Sequence, residues 1–118
     1  MTVILASGSA TRRAMLDRAG IPFAVETAAV DEAAVKAAMK EETNNPARVA
    51  EVLAELKATR VSARNPGAIV IGADQMLDCD GIWFDKPESV GAAAAQLGAL
   101  RGKTHRLTSA VEIGRAHV

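Results

Sequence analysis

Tyrosine is absent from this chain, and Phe23, Trp83 and Phe84 are its only aromatic residues. So few rings exclude a platform that stacks several bases in a row. Trp83 or Phe84 has the area to grip a single base, but core or edge packing is the more ordinary use of either ring. Cysteine is nearly absent too. Cys79 alone excludes an internal disulfide, fits a reducing compartment, and makes the cytoplasm the expected location. Charge of one sign is also missing: 14 Lys and Arg balance 14 Asp and Glu. That balance argues against a protein whose task is to coat nucleic acid or an anionic membrane. No apolar run approaches the roughly 20 residues that span a bilayer. Met1-Thr2 leads straight into a strand pattern, with no basic and apolar leader.

What is present is hydrophobic substance for one small domain, 49% of 118 residues. The pattern predicts a strand over 2–6, a turn at 7–9, and a helix over 10–19 with Met15 and Leu16 inward and Gly20 as terminator. A second strand is expected over 21–25, with Pro22 near its start. Residues 32–42 read as helix. Asn45-Pro46 is a cap followed by a first-turn proline, opening a long helix with Val49, Val52, Leu53, Leu56 and Val61 on one stripe. Residues 68–73 form a continuous apolar run, as for a central strand covered on both faces. Asp80-Gly81 between Met76-Leu77 and Ile82-Trp83-Phe84 signals a tight hairpin. Helix follows over 88–100, with Ala93, Leu97 and Leu100 on one side. A strand over 105–113 would carry Leu107, Ser109, Val111 and Ile113 on one face. The order β-α-β-α-α-β-β-α-β is that of an α/β protein.

Two strands open into small, polar and charged residues, which is how α/β proteins build sites at strand ends. Val3-Ile4-Leu5-Ala6 runs into Ser7-Gly8-Ser9-Ala10-Thr11-Arg12-Arg13, and Ala68-Ile69-Val70-Ile71 into Gly72-Ala73-Asp74-Gln75. The first mouth offers hydroxyls, free helix-start amides and guanidinium groups, all suited to phosphate oxygens. An N-capped helix with two surface arginines has the same sequence, and the spacing is not that of a P-loop. The second mouth offers a carboxylate that needs a partner once buried: a metal ion, a lysine or a catalytic water. A turn or capping aspartate is the plain alternative. Asp31-Glu32 precedes a helix, where acids favour the macrodipole in any case. Lys57 lies on the long helix, Lys86 just before Pro87, and His105 ahead of the last strand.

Taken in order, six short blocks resemble the Maf family of nucleoside triphosphate pyrophosphatases. They are Leu5-Ala6-Ser7-Gly8-Ser9 with Arg12, Val30-Asp31-Glu32, Lys57-Ala58, Ile71-Gly72-Ala73-Asp74-Gln75, Lys86-Pro87, and Leu97 through Leu100 and Gly102-Lys103-Thr104-His105 to Thr108. The resemblance covers nearly the whole chain. It implies a Maf or inosine-triphosphatase-like mixed sheet flanked by helices, of which this is the N-terminal part. It also implies hydrolysis of a nucleoside triphosphate between the α- and β-phosphates with a divalent cation, Mg²⁺ or Mn²⁺.

Carried over residue by residue, the resemblance makes Asp74 the catalytic carboxylate, as general base or metal ligand. Glu32 helps place metal or water, Lys57 and Lys86 neutralise the triphosphate, and Ser7, Ser9, Arg12, Arg13 and Gln75 bind substrate. The branch acting on 7-methyl-GTP is closer in Asp74-Gln75, Val30-Asp31-Glu32 and Arg12-Arg13-Ala14-Met15-Leu16 than the dTTP and UTP branch. Ala10-Thr11 replaces the Pro-Arg that members often carry after the serines. Family members also run longer, with a glutamine-bearing glycine loop in the further part. The alternative of another class is a non-enzymatic, nucleotide-binding regulator of septum formation. Expected partners are the nucleotide and, for the full-length parent, a second copy, with no membrane and no stable nucleic-acid complex. The Maf-like region is expected over 1–113. Residues 114–118, which match one reading frame of a sequencing-library adapter, are expected as a non-native tail, so His117 carries no role.

Overall fold

The computed structural model describes residues 2–115. Its elements are β1 (Val3–Ala6), α1 (Ala10–Arg18), β2 (Ala24–Val25), α2 (Glu32–Glu42), α3 (Pro46–Arg64), β3 (Ile69–Cys79), β4 (Ile82–Phe84), α4 (Val90–Leu100) and β5 (Arg106–Arg115). The order agrees with the sequence pattern, and the architecture is α/β with a mixed five-stranded sheet. Each helix starts at a side chain that accepts a free first-turn amide. Ser9 caps α1, Asp31 caps α2, Asn45 caps α3 ahead of its first-turn proline, and Ser89 caps α4.

The sheet is organised around β3. β1 lies parallel to β2 on one side and to β3 on the other, while β4 and β5 run antiparallel to β3. β5 follows one edge of β3 from Ile69 to Asp78. The opposite edge is shared: β1 pairs with it as far as Gly72, and β4 begins only at Leu77. Residues 73–76 therefore face a notch, with neither β1 nor β4 beside them. Ser7, Arg12 and Asp74 gather there.

Helix α3 closes one face of the sheet. Val49, Ala50, Leu53, Ala54 and Val61 are wholly buried, packed toward Ile4, Ala6, Val70 and Met76. The approach is close because the contact residues are small. A Cβ on Gly72 would lie 2.3 Å from the Ala54 carbonyl oxygen, so only glycine fits there. At the hairpin tip Asp80 and Gly81 take φ of 50° and 79°, the left-handed pair that a two-residue turn requires.

Several expectations need correcting. The second strand shrinks to Ala24–Val25, because pairing with β1 involves only Ile4 and Leu5 and Pro22 lacks a donor. β3 does not stop at residue 73 but runs on to Cys79, sustained by β5 along its length. Met15 is 61% exposed rather than inward, and α1 buries no residue. α4 starts at Val90 rather than at 88, because Ser89 caps it, and it buries nothing, leaving Leu97 68% exposed. β5 extends past 113, pairing Gly114 with Val70 and Arg115 with Ile69. Its expected face is real, but Leu107, Val111 and Ile113 point outward, 62–68% exposed. Of the expected tail, residues 116–118 and with them His117 lie outside the described residues.

Candidate active site

The notch in β3 forms because β1 ends where its sequence changes from aliphatic to Ser7-Gly8-Ser9. The carbonyl of Ala73 would bond a next residue of β1; instead it accepts from Arg12 Nη1 at 3.0 Å. The same nitrogen donates to Ser7 Oγ at 2.9 Å, and Ser7 Oγ also accepts from Ser9 N–H at 3.2 Å. Ser7 is buried, and its hydroxyl proton is left to donate. Ser9 Oγ accepts from Arg12 N–H as the α1 cap. Arg12 thus stitches the ends of β1 and β3 together at the peptide that precedes Asp74. Arg13, one residue on, is exposed, and its side chain has no polar partner among the described residues. Gly8 adopts no positive φ, and a Cβ there would make only an ordinary contact with Thr27.

Asp74 is 8% exposed and points to the face covered by α3. Oδ1 accepts from Gln75 N–H at 2.7 Å. Oδ2 lies 2.8 Å from Lys57 Nζ and has no further polar partner among the described residues. Lys57 projects from the middle of α3 and meets Glu32 Oε1 at 2.7 Å, on the first residue of α2. Burial disfavours the Lys57 ammonium, but the hydrogen bonds and charges of Asp74 and Glu32 outweigh it. Its pKa is held above the ordinary lysine value of 10.5. One ammonium between two carboxylates leaves the cluster with a net negative charge.

The sequence-derived residues divide accordingly. Structure brings together Ser7, Ser9 and Arg12 at the strand end, and Glu32, Lys57 and Asp74 behind it. Lys86 is exposed two residues beyond β4. Because Phe84 pairs with Leu77, the antiparallel register leads the chain back toward the level of Gln75 and the notch. Gln75 itself is not brought to the cluster. Strand alternation turns it to the opposite face, where Nε2 donates to Ser109 Oγ at 3.0 Å. A separate hollow of about 400 Å³ between α3 and β5, lined by Glu55, Thr59, Ser62, Glu112 and Arg115, excludes Asp74.

Sequence reasoning missed four cationic residues. On α2, Lys36 pairs with Asp85 at 2.9 Å, and Lys40 donates to the Gly81 carbonyl and sits 4.1 Å from the Trp83 ring centre. These contacts pin the β3–β4 hairpin, and Trp83 packs against the core cluster of Val49, Ala50, Leu53 and Met76. On α3, Arg60 donates to the Ala29 carbonyl and Arg64 to that of Thr27. A signal was available: like charges at i and i+4 repel on an isolated helix, so each pair calls for acceptors elsewhere.

A family profile described as Maf-like protein matches residues 2–117. The chain belongs to the Maf-like protein family. Across 108 residues this Maf-like chain is 71% identical to a nucleoside triphosphate pyrophosphatase of Paramagnetospirillum magneticum, covering 92% of the chain and 56% of that protein. It is 48% identical over 111 residues to a nucleoside triphosphate pyrophosphatase of Granulibacter bethesdensis, covering 94% and 56%. Identity is 49% over 117 residues to a 7-methyl-GTP pyrophosphatase of Brucella abortus, covering 98% and 59%. The chain therefore spans little more than half the length of the curated relatives it matches.

Among the described residues no three His, Cys, Asp or Glu side chains form a metal-ligating set. The donors present, Asp74 with its otherwise unpartnered Oδ2 and Glu32, still fit a magnesium-type ion. Such ions are held by one or two carboxylates plus substrate phosphates and water, not by an all-protein cage. Among the described residues no helix is long and apolar enough to cross a membrane.

Proposed function

We propose that this chain carries the catalytic carboxylate and the phosphate-binding strand end of a nucleoside triphosphate pyrophosphatase. The reaction cleaves the α–β phosphoanhydride and yields a nucleoside monophosphate and pyrophosphate. One observation carries the reading: a buried Asp74, tied through Lys57 to Glu32, sits directly behind a strand end built from Ser7, Ser9 and Arg12. The relatives' names support the same class of reaction.

In this reading Asp74 accepts the proton of the attacking water or ligates the ion, and Glu32 holds that water or ion from the other side of Lys57. Lys57 keeps both carboxylates in place and offsets charge on the phosphates. Ser7, Ser9, Arg13, Lys86 and the free amides at the start of α1 meet the phosphate oxygens, with Arg12 shaping the strand end between them. A divalent cation, Mg²⁺ or Mn²⁺, supplies a polarised phosphorus and an acidified water when bound. The substrate is 7-methyl-GTP or another non-standard nucleotide rather than dTTP or UTP, and the reaction belongs in the cytoplasm.

Pyrophosphate release from 7-methyl-GTP, dTTP, UTP and GTP with Mn²⁺ tests the proposal, comparing the chain with its Asp74→Asn variant. Release that falls by about 10²-fold or more in the variant is expected for loss of a general base. Equal rates remove Asp74 from catalysis. Nucleotide-induced thermal shifts without any release favour the binding regulator.

A further inference from the structure

The placement of Glu32 is not explained by α2 alone. Its first residue must meet a lysine on another helix, and the segment leading to it, residues 26–31, has no regular structure. That segment runs antiparallel to α3 and is held by it at successive points. Asn65, the C-cap residue of α3, donates from Nδ2 to Glu26 Oε2. Arg64 donates to the Thr27 carbonyl at 3.2 Å, Arg60 to the Ala29 carbonyl, and Lys57 closes the series on Glu32 at 2.7 Å. Between these points Ala28 and Val30 turn inward onto the two core clusters under α3. Residues 57, 60 and 64 follow the 3- and 4-residue spacing that keeps side chains on one helix stripe.

We infer that Arg60 and Arg64 are positioning residues, which hold the 26–31 segment in register along α3 so that Glu32 reaches Lys57 in the Asp74 cluster. The inference rests on the pyrophosphatase reading for its functional consequence, not for its geometry. The physical reason is that Glu26 N–H is tied to the Leu5 carbonyl and the Val30 carbonyl accepts from Glu32 N–H, but between them the Thr27 and Ala29 carbonyls have no backbone donor among the described residues and are met by Arg64 and Arg60. Ala28 and Val30 are small, and apolar contact does not fix position along a helix groove. A guanidinium bonded to a particular carbonyl does. Sliding by one residue would place Val30 or Asp31 in other surroundings and take Glu32 from Lys57.

The test compares the chain with Arg60→Ala/Arg64→Ala and with Arg60→Lys/Arg64→Lys. In the alanine pair, backbone NMR order parameters of residues 27–31 are expected to fall from about 0.85 toward about 0.6, with those of residues 49–61 unchanged. In a thermal-unfolding cycle, Glu32→Gln lowers the midpoint of the native chain and has no further effect in the alanine background. If the chain releases pyrophosphate, the alanine pair lowers kcat about tenfold or more with KM unchanged, adding Glu32→Gln costs nothing more, and the lysine pair recovers most of the rate. Unchanged order parameters, or additive effects of Glu32→Gln and the alanine pair, overturn the inference, because Ala28 and Val30 would then suffice. Absence of release from every nucleotide defeats the pyrophosphatase reading instead, and the order parameters and thermal cycle still decide the positioning.

Discussion

The two faces of the β3–β5 ladder have similar apolar content and opposite fates. Beneath α3, the even-numbered residues of β3 from Val70 to Met76 are all buried, Asp74 among them. On the other face, Leu107, Val111 and Ile113 of β5 stand open beside Ile71 and Leu77 of β3. The covered face holds the candidate site residues Asp74 and Lys57. A carboxylate and an ammonium placed there are screened from water and held by neighbours, whereas Gln75 and Ser109 on the open face bond to each other at the surface. The lesson is that alternation says which residues share a face and leaves open which face is covered.

The contrast can be broken most severely from the α3 side. Leu53→Ala removes a wholly buried side chain and should cost about 2–5 kcal/mol of unfolding free energy, measured by urea titration. Next in size is Lys57→Met, which leaves the buried Asp74 carboxylate without its partner. A loss of about 1–3 kcal/mol is expected, and Asp74→Asn in the same chain should restore part of it. Recovery of nothing would mean that Lys57 stabilises through its stem rather than its charge.

Alkaline pH probes the same ion pair more gently. The folded protein holds the Lys57 pKa above 10.5, so its contribution is complete below pH 10.5. It disappears as the pH rises through the higher folded-state value. Thermal midpoints followed over about pH 9–12 should fall more steeply for the native chain than for Lys57→Met. Smallest of all is the effect on the open face. Ile113→Ser should change stability by no more than about 0.5 kcal/mol, since its side chain is already 68% exposed. A loss approaching that of Leu53→Ala would show that the open face is covered in solution.

Part of the candidate site was legible in the sequence. Ser9, Asp31 and Asn45 announce helix starts because a side-chain oxygen beside an apolar period has one ordinary use there. Asp74 stands out because a carboxylate at the end of an aliphatic run needs a partner, and the structure supplies Lys57. Other features were hidden for a common reason: they depend on groups distant in sequence. Arg12 bonds a carbonyl 61 positions away, left free only because β1 stops short. Arg60 and Arg64 bond carbonyls, which every residue possesses, so no pattern of side chains names their targets. Met15 misled because its helix buries no residue.

By itself the sequence determined the succession of strands and helices, the helix caps and the Asp-Gly turn, because these depend on neighbours within a few residues. It also determined which residue types are available for phosphate and carboxylate chemistry. Tertiary structure alone decided that α3 covers one face of β3, that β1 and β4 leave a notch at residues 73–76, and that Lys57 joins Glu32 to Asp74 behind it. Those outcomes belong to long-range packing, where the energy of a contact depends on what the rest of the chain places beside it.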